Sequence, residues 1–244
     1  MKLTVLGNNG TCPTCDGACS SYLLTCGTMN IMLDAGNGSI AKLQHICNVN
    51  DIDIILISHL HIDHIADLFC LKYLLETKKS LGEKVNKVLL YLPQPPQWIL
   101  DELCTNNIFE IVYIWDDMTT KVGTTEITFM QVQHMDSAFG MRIDYDGKKF
   151  VYSGDSASCD NLLRLAQNAD VFLCECTIIS DSADCRTNHH MTALQAATLA
   201  KGAKVKKLLL THFFEPDRSE LYEQTAQKIF VPSYSTKILE EYDV

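Results

Sequence analysis

The sequence lacks the features that mark membrane, secreted and nucleic-acid-binding proteins. No apolar run approaches the roughly 18 residues of a membrane-spanning helix, so no membrane partner is expected. Residues 1–7 resemble a short strand and lack the long apolar region and cleavage site of a signal peptide, so we expect a cytoplasmic protein. With 20 Lys and Arg against 30 Asp and Glu, the net charge of −10 disfavours a large basic surface for nucleic acid.

The sequence also lacks a clear disulfide framework and any linker. Its eleven cysteines are odd in number and scattered, so we expect most of them to be reduced and buried. Cys12 and Cys15 have the spacing of a zinc or redox site, but no second such pair follows. Together with Cys19 and Cys26 they indicate a thiol-rich loop near a functional site, with a structural metal or redox role as the alternative. No linker, repeat or low-complexity stretch divides residues 1–244, which are expected to form a single domain.

Strand and helix patterns both occur along the chain. Runs rich in Val, Ile and Leu, bounded by Gly, Asn, Asp or Pro, predict strands over residues 3–6, 21–25, 30–34, 53–57, 87–92, 111–115, 126–132, 140–144, 149–152, 170–174 and 207–210. Helical patterns predict helices over residues 65–78, 96–104, 161–167, 192–201 and 219–228. Gly202 is expected to cap the fourth helix, and Asp146 with Gly147 predicts a tight hairpin turn. This mixture indicates an α/β fold with two sheets and outer helices.

Metal-ligand residues are concentrated in one short segment. Residues 58–64 follow a predicted buried strand and contain His59, His61, Asp63 and His64, so three of the eight histidines lie within six residues. The two-residue spacing places His59 and His61 on one side of an extended backbone, whereas Asp63 and His64 come as the chain turns into a helix. Imidazole and carboxylate ligands suit Zn(II), Fe(II) or Mn(II). The pattern therefore predicts a metal site rather than a polar loop with surface histidines.

Three later residues extend this set. His134, Asp155 and His212 each stand at the end of an apolar run that predicts a strand. Strand ends gather at one edge of a sheet, so these side chains can converge although they are far apart in the sequence. An aspartate has two oxygens and can bridge two ions, and Gly154 allows a close approach of the backbone. The shared placement favours ligands over isolated structural residues.

Together these motifs resemble the metallo-β-lactamase superfamily. The matching segments are the His-x-His-x-Asp-His run of residues 59–64, the Ser-Gly-Asp-Ser run of residues 153–156, Thr-His at residues 211–212 and the Asp-x-Gly turn of residues 34–36. The resemblance covers nearly the whole chain and implies a four-layer αββα sandwich of two mixed sheets with outer helices and with metals at one sheet edge. The ligand set that it implies is His59, His61 and His134 for one ion, Asp63, His64 and His212 for the other, and Asp155 as the bridge.

The C-terminal half is similar to the ribonuclease Z-like branch of this superfamily. That branch has a Glu-x-Thr and a His-Ser-Thr-Ala segment, which correspond here to residues 175–177 and 190–193. The resemblance implies that Glu175 and His190 form a proton shuttle to the leaving oxygen, and we count Asp63 with them among the catalytic residues. A helix dipole would disfavour the charged form of His190, and Glu175 would oppose that effect. His189 is adjacent and is the alternative participant.

One part of the ribonuclease Z pattern is missing. The bacterial enzymes carry a long Gly- and Pro-containing arm that grips tRNA between the third histidine ligand and the bridging aspartate. Here only residues 135–154 separate His134 from Asp155, and two predicted strands fill them. No other segment is long and basic enough, because the patch of Lys78, Lys79, Lys84 and Lys87 is small. We therefore disfavour pre-tRNA as substrate and expect no nucleic-acid partner.

The remaining expectation is a hydrolase for a small-molecule substrate. We expect two divalent ions, zinc first and Mn or Fe as alternatives, and favour a phosphodiesterase for small phosphodiesters or nucleotides. The alternatives are a carbon-centred hydrolase for a lactone, thioester or β-lactam and, ranked lower, a tRNA 3′-processing endoribonuclease. A non-catalytic binding protein is disfavoured because all seven ligands are kept. A homodimer is implied only by family habit, and the candidates for the pocket lining are Cys12, Cys15, Ser137 and Phe214.

Overall fold

The computed structural model describes residues 1–180 and 188–244. The strands in this part of the chain are β1 (Lys2–Gly7), β2 (Ser21–Cys26), β3 (Met29–Leu33), β4 (Ile54–Leu56), β5 (Val88–Leu92), β6 (Phe109–Tyr113), β7 (Met118–Val122), β8 (Thr125–Val132), β9 (Ala138–Tyr145), β10 (Lys148–Tyr152), β11 (Val171–Glu175), β12 (Lys207–Thr211), β13 (Ser233–Ser235) and β14 (Glu241–Asp243). The α-helices are α1 (Ser39–Leu43), α2 (Ile62–Ser80), α3 (Gln97–Leu103), α4 (Asp160–Leu165), α5 (Ala193–Gly202) and α6 (Ser219–Gln227). Short 3-10 turns occupy Val49–Asp51, Thr105–Asn107 and Pro216–Arg218.

The strands form two sheets of seven. The first has the order β14-β1-β2-β3-β4-β5-β6, and the second has the order β13-β12-β11-β10-β9-β8-β7. Each sheet is mixed: β3 to β6 are parallel in the first and β10 to β13 are parallel in the second, whereas the other neighbours are antiparallel. The turn between β9 and β10 has positive φ at Asp146 and Gly147, as a two-residue hairpin turn requires, so the predicted hairpin is confirmed.

Three clusters of apolar side chains lie between the layers of the fold and hold them together. The central cluster contains side chains from both sheets, and rings meet across it as Tyr91 with Phe129 and Tyr22 with Tyr152, with centroids 5.7 Å and 5.2 Å apart. A second cluster joins the outer face of the first sheet to α1, α2 and α3, and a third joins the second sheet to α4, α5 and α6. Apolar burial of this kind drives sheets and helices to pack as layers. The predicted αββα sandwich is confirmed.

The strand directions bring several loops to one edge. The parallel order places the carboxyl ends of β10, β11 and β12 side by side, and β8 runs in the same direction as β10 because β9 is antiparallel to both. In the first sheet, β4 and β5 end beside each other in the same way. The segments that follow these strands therefore meet across the sandwich, which is where ligands bind in open α/β sheets.

The predicted elements differ from the structure in several places. All eleven predicted strands exist, but the sequence does not predict β7, β13, β14 or α1. Strand β13 reads Ser-Tyr-Ser, β14 and α1 are short, and β7 has only two apolar residues, Met118 and Val122. Helix α2 begins at Ile62, three residues before the predicted start. The prediction that Gly202 caps α5 is wrong: Gly202 is the last residue of the helix, Ala203 is the cap, and Lys204 takes the left-handed conformation.

The cysteine prediction is correct only in part. The ten cysteines in residues 1–180 and 188–244 are all free, but only Cys19, Cys26, Cys174 and Cys176 are buried, so the expectation that most are buried is wrong. Cys185 lies outside the described residues. Among the described helices, none has the length and apolar character needed to cross a membrane. That residues 1–244 form a single domain stays a prediction.

Candidate metal centre

The first group of candidate ligands comes from both sheets. His59 and His61 follow β4, His134 follows β8 and Asp155 follows β10, and one ligand atom of each lies within 4.8 Å of the others. His61 Nδ1 is 3.2 Å from His134 Nε2, and His59 Nε2 is 3.8 Å from Asp155 Oδ2. His59 and Asp155 are buried, whereas the other two are partly exposed. The structure thus brings together the four residues that the resemblance assigned to the first ion and the bridge.

The second group faces the first across Asp155. Asp63 and His64 lie in the first turn of α2, and His212 follows β12 with a left-handed backbone at φ 57°. Asp155 Oδ2 is 3.3 Å from His64 Nε2 and 3.2 Å from His212 Nε2, and His212 Nε2 is 3.4 Å from Asp63 Oδ2. The Asp155 carboxylate therefore lies next to ligand atoms of both groups, as expected of a residue that bridges two ions.

The ring nitrogens around this centre have a common arrangement. His64 Nδ1 donates to Asp34 Oδ2 at 2.7 Å, and His134 Nδ1 donates to the carbonyl of His189 at 2.8 Å. His59 Nδ1 donates to Ser58 Oγ and His212 Nδ1 to Thr177 Oγ1, because each hydroxyl gives its own proton to a carboxylate. These bonds orient the rings and turn Nε2 of all four toward the centre, where it can bind an ion.

His61 has the opposite orientation. Its Nε2 donates to Asp136 Oδ2 at 3.0 Å, so its Nδ1 faces the centre and His134 Nε2. Electron-pair donors of these two neighbouring rings therefore point at one another across 3.2 Å. Such a pair repels unless positive charge lies between the two nitrogens, and divalent cations take neutral imidazole in this way.

Two buried atoms support the same conclusion. His59 Nε2 and Asp155 Oδ1 are buried and have no hydrogen-bond partner in the protein. An unpaired buried polar atom costs about 1–3 kcal/mol. Burial and the neighbouring charge of His64 hold the pKa of His59 well below its usual range, which keeps its ring neutral. Burial opposes ionisation of Asp155, but the surrounding histidines outweigh it and hold its pKa well below the usual range. A carboxylate beside the neutral imidazole of His59 fits a divalent cation.

Asp34 holds one ligand of the centre and the adjoining loop in place through hydrogen bonds. It is fully buried with φ 54°, and its carboxylate accepts hydrogen bonds from Ser58 N, Ser58 Oγ, His64 Nδ1 and Tyr152 Oη, each at 2.7 Å. These contacts fix the loop after β4 and the ring of His64. The sequence shows the Asp-x-Gly turn but indicates no role for the side chain of Asp34, and no local pattern points to Tyr152, which is 118 positions away.

Glu175 and His190 form a pair beside the second group. Glu175 is fully buried and accepts from Ser156 N and from Thr177 N and Oγ1, while His190 Nδ1 lies 2.9 Å from Glu175 Oε1. Burial acts against protonation of His190, but the hydrogen bond and charge of Glu175 outweigh it and raise its pKa above the ordinary value. His190, not His189, contacts Glu175, and His189 instead contributes its carbonyl to His134.

The thiol-rich loop touches the centre through its backbone. The amide of Thr11 donates to Asp63 Oδ2 at 2.7 Å. Cys12 and Cys15 are exposed, and no cysteine in the described part of the chain belongs to a group that could hold an ion. Of the other residues predicted to line a pocket, Ser137 borders a cavity beside the centre, and Phe214 is exposed after His212.

The family assignment follows from the match of the sequence to known proteins. Residues 29–213 match the Beta-lactamase superfamily domain. The chain belongs to the metallo-β-lactamase superfamily. The predicted family is confirmed, and the protein is a metallo-hydrolase of this superfamily.

Three relatives illustrate the range of similarity. A probable metallo-hydrolase of Bacillus subtilis, YhfI, is 29% identical over 87% of this chain and 86% of its own length, and its crystal structure covers 99% of both chains with a TM-score of 0.90 at 26% identity. An uncharacterized protein of Mycobacterium leprae is 34% identical over 87% of this chain and 77% of its length. Ribonuclease Z of Clostridium acetobutylicum is 24% identical over 94% of each chain.

The ribonuclease Z alignment also shows what this chain lacks. It runs over 296 positions, more than the 244 residues of the chain, so ribonuclease Z has residues without a counterpart here. Between His134 and Asp155 the structure has only β9, β10 and the turn that joins them. The predicted relation to ribonuclease Z without the inserted arm agrees with both observations.

Proposed function

We propose that the protein is a metal-dependent phosphodiesterase with two divalent ions, acting on small phosphodiesters or nucleotides. The observation that carries the proposal is the orientation of five histidine rings, each held by an outward hydrogen bond so that its free nitrogen faces Asp155 or its neighbours. His59, His61 and His134 would hold one ion, Asp63, His64 and His212 the other, and Asp155 both. We propose zinc, with Mn or Fe as alternatives that the same donors accept.

The ions, when bound, would supply an activated water and offset the negative charge that develops on the substrate. The protein's own residues do the rest. Asp63, held by the amide of Thr11, would orient the attacking water. His190 holds its Nδ1 proton toward Glu175 and delivers a proton from Nε2 to the leaving oxygen. Burial of Glu175 keeps bulk water from replacing this contact.

Phosphorus chemistry is favoured over carbon chemistry by this proton donor. Alkoxide leaving groups of phosphodiesters need a proton, and general acid catalysis supplies about 10²–10⁴-fold in rate. The name ribonuclease Z describes an enzyme that cleaves phosphodiester bonds, and that relative aligns over almost its whole length. The net charge of −10 and the short segment between His134 and Asp155 favour a small substrate over pre-tRNA.

The test combines metal analysis with a matched pair of variants. Purified protein is expected to contain two divalent ions per chain and to hydrolyse cyclic AMP and alkyl phosphodiesters faster than a lactone or an acyl thioester. His190→Ala should lose about 10²–10⁴-fold in kcat on an alkyl phosphodiester and little on a p-nitrophenyl phosphodiester, whose leaving group needs no proton. His189→Ala, which keeps the backbone carbonyl, is the control and should stay close to wild type.

Two results would count against the proposal. A protein that binds one ion or none when fully loaded would refute the dinuclear centre. Turnover of the lactone or thioester alone, unaffected by His190→Ala, would assign the carbon-centred alternative. A cytoplasmic location and a homodimer remain predictions that cell fractionation and sedimentation would test.

A further inference from the structure

A cavity of about 340 Å³ lies beside the metal centre. Its wall includes Leu60, which stands between the candidate ligands His59 and His61, and Asp136, whose carboxylate is 3.0 Å from His61 Nε2. The loops after β4, β5 and β8 all contribute to it, so it opens at the same sheet edge as the centre. Its size falls in the lower part of the range of about 300–1,000 Å³ typical of small-molecule sites.

We propose that this cavity is the subsite for the nucleobase of the substrate. The inference rests on the proposed function and names the substrate class, a nucleotide phosphodiester. The phosphodiester would face the metal centre while the base enters the cavity and stacks on Trp98.

The walls suit a planar ring. Trp98 is 59% exposed, and its indole is held in place by stacking on Phe69, with ring centroids 6.2 Å apart and planes 15° from parallel. Pro93 and Pro96 border the same cavity and have a fixed backbone. A rigid aromatic face of this kind binds any base through its π-surface.

The polar groups of the cavity exclude a second phosphate and suit the edge of a base. None of the described residues that line it is Lys or Arg, and the Asp136 carboxylate would repel a phosphate. Asp136 accepts N–H groups, while the Gln94 amide and the Ser137 hydroxyl can both donate and accept. An alkyl chain in the same place would offer no partner to the Gln94 amide or the Ser137 hydroxyl, which costs affinity.

Binding of nucleosides tests the subsite without any turnover. Trp98 and Trp115 are the two tryptophans of the chain, so in a Trp115→Phe variant the tryptophan fluorescence, excited selectively over that of tyrosine, reports on Trp98 alone. Adenosine added to the chelator-treated variant should quench this fluorescence in a saturable way, whereas ribose should not. Absence of quenching by adenosine would overturn the proposal.

Substitution of Trp98 separates stacking from general effects. Trp98→Ala should weaken binding of AMP to the metal-loaded protein by roughly 5- to 150-fold, the range for loss of one base-stacking contact, and Trp98→Phe should recover most of it. Ribose 5-phosphate, which has the phosphate without the base, should bind all three proteins equally. Because Trp98 is exposed, melting temperatures should agree and exclude misfolding as the cause.

The outcomes distinguish the subsite from the proposed function. Hydrolysis of phosphodiesters with AMP binding that does not depend on Trp98 would overturn the subsite alone. Quenching of Trp98 by adenosine in a protein that hydrolyses no phosphodiester would support the subsite and refute the proposed function. Binding of an acyl thioester, but not AMP, in a Trp98-dependent manner would overturn the subsite in favour of an acyl pocket.

Discussion

The hydroxyl of Thr177 accepts a hydrogen bond from His212 Nδ1 at 2.7 Å. The same hydroxyl donates to Glu175 Oε2 at 2.7 Å, so it joins a candidate metal ligand to the pair that we propose as proton donor. Thr177 has no metal-ligating atom of its own in this arrangement. It therefore acts as a positioning residue for His212 and Glu175. Loss of its hydroxyl should disturb the orientation of both side chains, although both remain present.

Replacing Thr177 tests this connection. Thr177→Val keeps the shape but removes the hydroxyl, so His212 loses the acceptor that fixes its tautomer. Loss of such an outer contact costs about 10–100-fold in metal affinity. The measurement is competition for zinc with a chromophoric chelator. Thr177→Ser keeps the hydroxyl and should bind zinc like wild type, and equal affinities for Val and Ser variants would show that the contact does not position His212.

The pair of Glu175 and His190 predicts a pH dependence. Despite burial, Glu175 holds the pKa of His190 above its ordinary value, so the protonated donor is present at low pH and is lost as the pH rises through that pKa. Glu175→Gln removes the negative charge, the pKa of His190 falls, and the alkaline limb of kcat should move to lower pH. The measurement is the pH profile of kcat on an alkyl phosphodiester.

A substrate with a different leaving group controls this experiment. A p-nitrophenyl phosphodiester needs no proton on its leaving oxygen, so its profile should not show the limb that moves in Glu175→Gln. If the limb shifts equally for both substrates, the titrating group is not the proton donor to the leaving oxygen.

Asp34 predicts a linked loss of stability and metal affinity. Asp34→Asn places an amide donor among four hydrogen-bond donors, which come from Ser58, His64 and Tyr152. We expect the free energy of unfolding to fall by about 1–3 kcal/mol, measured by denaturant titration of the chelated protein. Zinc affinity should fall by about 10–100-fold, because His64 loses its anchor.

Tyr152→Phe is the matched comparison for Asp34. It removes one donor to the same carboxylate and leaves His64 in place. We expect a loss of about 1.5–3 kcal/mol in the free energy of unfolding, the range for a hydrogen bond to a charged group, with little change in zinc affinity. A larger loss of zinc affinity in Tyr152→Phe than in Asp34→Asn would contradict the role given to Asp34.

The sequence predicts the ligands of this centre better than their supports. His59, His61, Asp63 and His64 form a local pattern, and strand ends locate the remaining ligands, because parallel strands end at one edge whatever their order. The contact of Tyr152 with Asp34 joins residues 118 positions apart and has no local pattern. The left-handed backbone of His212 is also not predictable, since only the packed fold imposes such a conformation on a non-glycine residue.

The same distinction holds for the fold. The eleven apolar strands were predicted because buried strands are rich in Val, Ile and Leu. The polar edge strand β13 was missed, because its pairing with β12 depends on tertiary position and not on its own composition. Trp98 was predicted to lie in a helix, but periodicity did not show that its ring faces the metal centre's cavity.

Removal of metal should destabilise the protein through Asp155. Without a cation, His59 Nε2 and Asp155 Oδ1 remain buried and unpaired. A ligand that is present at 100 times its Kd stabilises the folded state by about 2.7 kcal/mol, so chelation should lower Tm by several degrees.

Asp155→Asn should lose both metal and activity, and its Tm should not respond to chelator. Asp144→Asn, which changes a carboxylate paired with Arg142 on β9, is the control and should respond to chelator like wild type. A wild-type Tm that does not change on chelation, in protein shown by elemental analysis to have lost its ions, would mean that the centre is held together without them.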